Sequence, residues 1–136
     1  IKEASGNLVQ ISQIISNTPD DFLIWSGNDG DTLPILALGG YGVISVTSHI
    51  VGTQIKSMIE YFLNHKTDEA ASIHRHLLPL VNTMFIVSNP VPVKYALNHI
   101  GFPAGKPRLP LTEPDDKSAA IIRDTLKNYQ IDLPVG

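Results

Sequence analysis

Two short, largely apolar runs, FLIW (Phe22 to Trp25) and VISV (Val43 to Val46), are each bounded on at least one side by a turn containing glycine. That is the pattern of parallel strands buried on both faces. Between them DGDTLPILALGG has room for a short helix, with Asp29 or Asp31 near its N-terminus, Pro34 in its first turn and Gly39 or Gly40 at its end. The interval from Phe22 to Val43, repeated towards the N-terminus, reaches Ile1. NLVQISQIISN lies in the gap and sets Leu8, Ile11 and Ile15 on one helical face, with Ile14 at its margin. Ile1 and Lys2 therefore read as an earlier strand of the same series.

After the third strand the period changes. HIVGTQIKSMIEYFLNHK carries Val51, Ile55, Met58, Ile59 and Phe62 on a helical stripe. TDEAASIHRHLLPLVNTMF follows, with Asp68 and Glu69 in a first turn behind Thr67. NPVPVKYALNHIG places Asn89 as an N-cap, Pro90 at the first helical position and Gly101 past the end, and DDKSAAIIRDTLKNYQ is the last helix. The expected division is 1–64, three strand–helix units, and 65–136, a helical region. Parallel strands need crossover helices and bury both faces, so the class is α/β. Three such strands alone leave two apolar edges open, and partner strands N-terminal to Ile1 are expected.

Composition narrows the function classes. At 136 residues, 43% hydrophobic and 17% charged, the chain has enough apolar material for a core. A formal charge of −3, with Lys and Arg scattered, gives no general attraction to nucleic acid or to anionic membranes. There is no cysteine, hence no disulfide framework and no thiolate metal site. No apolar run approaches bilayer length, and residues 1–20 lack a signal-peptide layout, so a cytoplasmic protein is expected.

Five motifs in order, KEASGN, SGNDGDTLP, ALGGYGVISVTSHI, NPVPVKYAL and RLPLT, resemble the C-terminal half of the dihydrodipicolinate synthase family. The resemblance runs from Ile1 to about Leu111 and more weakly beyond. It implies membership of the N-acetylneuraminate lyase and dihydrodipicolinate synthase superfamily, pyruvate-dependent class I lyases on a (β/α)8 TIM barrel. The three strands would then be the last three of the barrel, and the later helices its C-terminal appendage. It further implies a lyase of lysine (diaminopimelate) biosynthesis that condenses pyruvate with aspartate semialdehyde. No cofactor is needed beyond the covalent Schiff base, and the assembly is a homotetramer built as a dimer of dimers.

By the same resemblance Lys2 is the lysine that forms the Schiff base with pyruvate. Gly27 is the glycine whose missing side chain lets backbone approach the pyruvyl group, and Ile44 is the position whose backbone carbonyl faces it. An imine-forming lysine must present free amine, and burial or neighbouring groups provide it by disfavouring the ammonium form. Read from the residues alone, Lys2 is a solvated chain-end lysine and Ile44 a core residue, and only Gly27 is equally compatible with a turn glycine. Glu3 points away from Lys2 on a regular strand and is expected to be structural rather than the base. Ser45, Thr47 and Ser48 are hydroxyls near the same strand end without an assigned role.

His74 and His76 lie two apart on an expected helix and cannot readily share a metal; His49, His65 and His99 are isolated, so no metal site is expected. GGYG lacks the setting of a dinucleotide fingerprint, because its first glycines end a helix. Two alternatives stand beside the leading reading. One is a sister aldolase, such as an N-acetylneuraminate lyase or a keto-deoxy sugar acid aldolase. The other is a chain that is inactive alone and competent only for association, because the missing N-terminal half of the barrel would hold the other catalytic groups.

Overall fold

The computed structural model describes residues 1–133. The elements in order are β1 (Lys2–Glu3), α1 (Leu8–Ser16), β2 (Trp25–Ser26), a 3-10 turn (Asp29–Asp31), α2 (Thr32–Ala37), β3 (Gly42–Val43), α3 (Ser48–Leu63), α4 (Thr67–Thr83), α5 (Val91–His99) and α6 (Asp116–Leu126). The strands form one parallel sheet in the order β1-β2-β3, pairing Lys2 with Trp25, Glu3 with Ser26, Trp25 with Gly42 and Ser26 with Val43. The chain forms two compact units, one from Ile1–Ser45 with Ile55–Arg75, the other from Val46–Gln54 with the described part of His76–Gly136.

In the first unit the strands are shorter than the apolar runs, and β2 and β3 each share only one end residue with them. Phe22 donates its N–H to Pro19 in a closed turn, which holds Phe22 out of the ladder. Pairing begins where Ile1 reaches Leu23 and Trp25 reaches Ile1, at 2.7 and 2.8 Å, and ends where Gly27 donates to Glu3. On the other side Tyr41 donates to Ile24 and Ile44 to Ser26. Val46 already accepts from His49 in the turn that starts α3, so the third strand stops early. The expectation of burial on both faces fails for Ile1, Phe22, Leu23 and Ile44, which are all exposed; Ile24 and Ser26 are buried. Trp25 meets the Tyr41 ring edge-on at 4.8 Å.

The helices follow the expected boundaries closely. Asn7 caps α1 by accepting from Val9 and Gln10, both at 3.1 Å. Only Ile11 of its apolar set is buried, whereas Leu8 and Val9 are 42% and 69% exposed. Gly39, at φ +104°, closes α2. Val51, Ile55 and Met58 are the buried members of the α3 stripe.

The second unit is helical, with a core that includes Leu80, Met84, Val93, Ala96, Leu97 and Ile122, and α5 packs on α6. The cap of α5 is Pro90, one residue later than expected, because its carbonyl accepts the Lys94 N–H that opens the helix. Asp115 caps α6 through the Ser118 N–H at 2.7 Å, which lowers the Asp115 pKa. Gln54 and Asp132 tie the α3 start to the chain after α6 through Gln54 N–H to Asp132 Oδ2, 3.2 Å. Among the described residues no strand follows β3, and no helix is long and apolar enough to cross a membrane.

Candidate functional site

The C-terminal ends of β1 and β2 bring Lys2 and Gly27 together. The register that pairs Glu3 with Ser26 carries on to set Ala4 opposite Gly27, and the Gly27 N–H donates to the Glu3 carbonyl at 2.6 Å. A Cβ on Gly27 would lie 2.7 Å from Ala4 Cβ, 3.0 Å from the Glu3 carbonyl oxygen and 3.1 Å from Lys2 Cε. Glycine is therefore required by contact with β1, and the space a side chain would fill adjoins the Lys2 stem. Ile44 stands one residue past β3, bonded through its N–H to Ser26 at 2.9 Å, with its side chain exposed. Lys2 is itself exposed, so the burial expected around its amine is not formed by the described residues.

Alternation along β1 turns Glu3 to the other face, where it is buried. Its Oε1 accepts from the Ser5 N–H at 2.5 Å. That bond is the largest cause of a lowered Glu3 pKa, assisted by the Ser5 hydroxyl and the Ala4 N–H and opposed by burial. A carboxylate engaged in this way stays charged and holds the turn, as expected for a structural residue.

Residues that sequence reasoning missed lie in the turn after β2. The Asn28 side-chain amide donates to the Ala4 carbonyl at 3.3 Å and to Asp31 Oδ2 at 2.8 Å, while Ser26 Oγ donates to the Asn28 carbonyl at 2.7 Å. Asparagine followed by aspartate in a glycine-rich turn signals side-chain-to-backbone bonding, but not which strand receives it. Asp31 also bears on His74. Burial chiefly, and Arg75 next, lower the His74 pKa, and Asp31 partly offsets them. No group of three or more His, Cys, Asp or Glu able to hold a metal occurs among the described residues.

These shifts set the acid response. A lowered folded-state pKa means that a group's contribution is complete above its unfolded value and is lost as pH falls through the folded one. Loss therefore begins below 6.5 for His74 and below 4.5 for Glu3. Thermal melting followed from about pH 7 to about pH 3 is expected to show a shallower first decline in His74→Gln and a shallower second decline in Glu3→Gln. Parallel curves for all three proteins would refute the assignment.

The Dihydrodipicolinate synthetase family matches residues 1–129. A 4-hydroxy-tetrahydrodipicolinate synthase of Dehalococcoides mccartyi is 63% identical over 99% of this chain and 46% of its own length. The corresponding protein of Archaeoglobus fulgidus is 49% identical over 96% of this chain and 45% of its own. The solved dihydrodipicolinate synthase of Thermotoga maritima superposes with a TM-score of 0.90 at 38% identity, covering 93% of this chain and 44% of that one. The chain thus spans about half the length of the relatives it matches. With a family match over nearly its whole length and relatives this similar, the chain belongs to the dihydrodipicolinate synthetase family.

Proposed function

We propose that this chain supplies the Schiff-base lysine of a class I lyase that condenses pyruvate with aspartate semialdehyde in lysine biosynthesis. The carrying observation is the close approach of Gly27 to the Lys2 stem at the C-terminal ends of adjacent parallel strands, the face on which barrel enzymes build their sites. Lys2 Nζ attacks the keto carbon of pyruvate, and water leaves to give an iminium. Loss of a methyl proton gives the enamine, whose carbon adds to the aldehyde. The missing Gly27 side chain lets its backbone approach the pyruvyl group, and the Ile44 carbonyl faces it. The covalent imine takes the place of any metal or cofactor.

On this reading residues 1–64 are the last three units of a (β/α)8 barrel and 65–136 its helical appendage. The exposed apolar residues Ile1, Phe22, Leu23 and Ile44 support it, since further barrel units would cover them. The remaining catalytic groups then lie in the N-terminal half, and the 136-residue chain alone does not turn over substrate. The complete enzyme works in the cytoplasm without nucleic-acid or membrane partners. Borohydride trapping of pyruvate on the full-length enzyme, with peptide mapping, tests the assignment: an adduct on Lys2 supports it, and one on Lys56, Lys66 or Lys94 sinks it. Assays with aspartate semialdehyde, N-acetylneuraminate and keto-deoxy sugar acids separate the synthase from its sister aldolases.

The full-length enzyme is further proposed to be a homotetramer, a dimer of dimers, in which the exposed Leu8 and Val9 at the start of α1 are covered by a second copy. Light scattering is expected to give a tetramer for the full-length enzyme and a smaller species for Val9→Glu. A monomer before substitution would refute this.

A further inference from the structure

We propose that Asn28 is a positioning residue for imine formation on Lys2, its side-chain amide tying the turn after β2 to the end of β1 so that Gly27 is held beside the lysine stem. The inference rests on the Schiff-base reading above.

The backbone ladder between β1 and β2 ends with the bond from Gly27 to Glu3, because the next residues of the second strand turn into the 3-10 segment Asp29–Asp31. The next carbonyl along the first strand belongs to Ala4, and the Asn28 amide donates to it at 3.3 Å. One side chain thus carries the connection one step beyond the point where backbone pairing stops. The second hydrogen of the same amide goes to Asp31 Oδ2 at 2.8 Å, so the donor capacity of the group is used in full. The Asn28 backbone is fixed as well. Its carbonyl accepts from the buried Ser26 hydroxyl at 2.7 Å and from the Asp31 N–H at 3.1 Å, and its own N–H donates to Ser26 Oγ at 3.3 Å.

Residue 28 directly follows Gly27, the position where a Cβ would lie 3.1 Å from Lys2 Cε. The clearance between the Gly27 backbone and the lysine stem is therefore set by how tightly residue 28 is anchored to β1. That contact fixes where the stem can lie, and with it the amine that has to come within attack distance of the substrate carbonyl. Displacements on the order of 1 Å are enough to slow such a step substantially. Asparagine suits the position because it offers two donors to two oxygens. Aspartate, of the same size, offers none, and would set its charge against both Asp31 and the Ala4 carbonyl.

The test uses the full-length enzyme that contains this segment. Pyruvate at saturating concentration is mixed with enzyme, quenched with borohydride at intervals, and the adduct on Lys2 is quantified by peptide mapping. Asn28→Ala is expected to lower the rate constant about tenfold while the final extent of labelling stays complete. Asn28→Asp should be at least as slow. Asp31→Ala, which removes the second anchor and leaves the bond to Ala4, should lose about threefold. A merely structural role would reduce the extent of labelling and leave the rate constant of the labelled fraction unchanged; that result overturns the proposal. So does a rate constant within twofold of the unmodified enzyme in the Asn28 variants. If Asn28→Ala does not fold, the equally sized Asn28→Asp carries the test. An unmodified enzyme without an adduct on Lys2 overturns the Schiff-base reading and this inference together, whereas a normal adduct with unaffected variants overturns this inference alone.

Discussion

Lys2→Arg in the full-length enzyme is expected to abolish the borohydride-trapped pyruvate adduct and to lower turnover by on the order of 10^3-fold or more, as removal of a covalent nucleophile does elsewhere. The fold should survive. Lys2 makes up half of a two-residue strand whose pairing with β2 is made by backbone, which the substitution leaves in place. Arginine keeps the charge and an aliphatic stem of similar length, but its guanidinium stays protonated and cannot attack a ketone as a free amine. The two readings of Lys2, nucleophile or solvated lysine, thus predict opposite outcomes for one substitution. Near-normal turnover in Lys2→Arg, or an adduct that persists on another lysine, would end the Schiff-base assignment. Circular dichroism and melting on the same sample separate loss of chemistry from loss of structure.

The parts of this fold set by local chemistry were legible in the sequence. Asp31 stands just before α2, Pro34 in its first turn and Gly39 just past its end, and the stripe through Val51, Ile55 and Met58 is the buried side of α3. Strand positions were less legible, because the apolar run at Phe22 does not reveal that its first residue closes a turn onto Pro19. Nor does VISV show that Val46 is taken into the first turn of α3. The cap of α5 was misplaced by one residue for a similar reason: which carbonyl opens a helix depends on where Lys94 donates, not on residue type.

The site divides along the same line. Lys2, Gly27 and Ile44 came from motif resemblance; the register sets Gly27 opposite Ala4, and a Cβ on it would lie 3.1 Å from Lys2 Cε. Asn28 was invisible as a participant because its partner, the Ala4 carbonyl, is distant in sequence and adjacent only after the strands pair. A hydrogen bond from a side chain to a remote backbone carbonyl leaves no periodic trace; the turn chemistry of SGND signals only that some such bond exists.

Gly27→Ala is the substitution expected to be most costly after the loss of the lysine. The methyl group would arrive 2.7 Å from Ala4 Cβ and 3.0 Å from the Glu3 carbonyl oxygen, both part of β1 or directly attached to it. Neither is the far end of a flexible side chain, so relief requires the strands to separate, against the 2.6 Å bond from Gly27 to Glu3. Overpacking of this kind costs about 1–3 kcal/mol. The third close neighbour is Lys2 Cε at 3.1 Å, which can move, and its movement carries the amine away from the substrate carbonyl. Turnover should therefore fall by roughly 100-fold, the scale associated with a misplacement of about 1 Å. Ala4→Gly in the same chain removes the worst contact and should recover part of the lost stability. It should recover less of the activity, because the clash with the lysine stem remains. Equal recovery of both would show that Gly27 serves strand packing alone, and unimpaired turnover in Gly27→Ala would show that the approach of Gly27 to Lys2 has no part in the reaction.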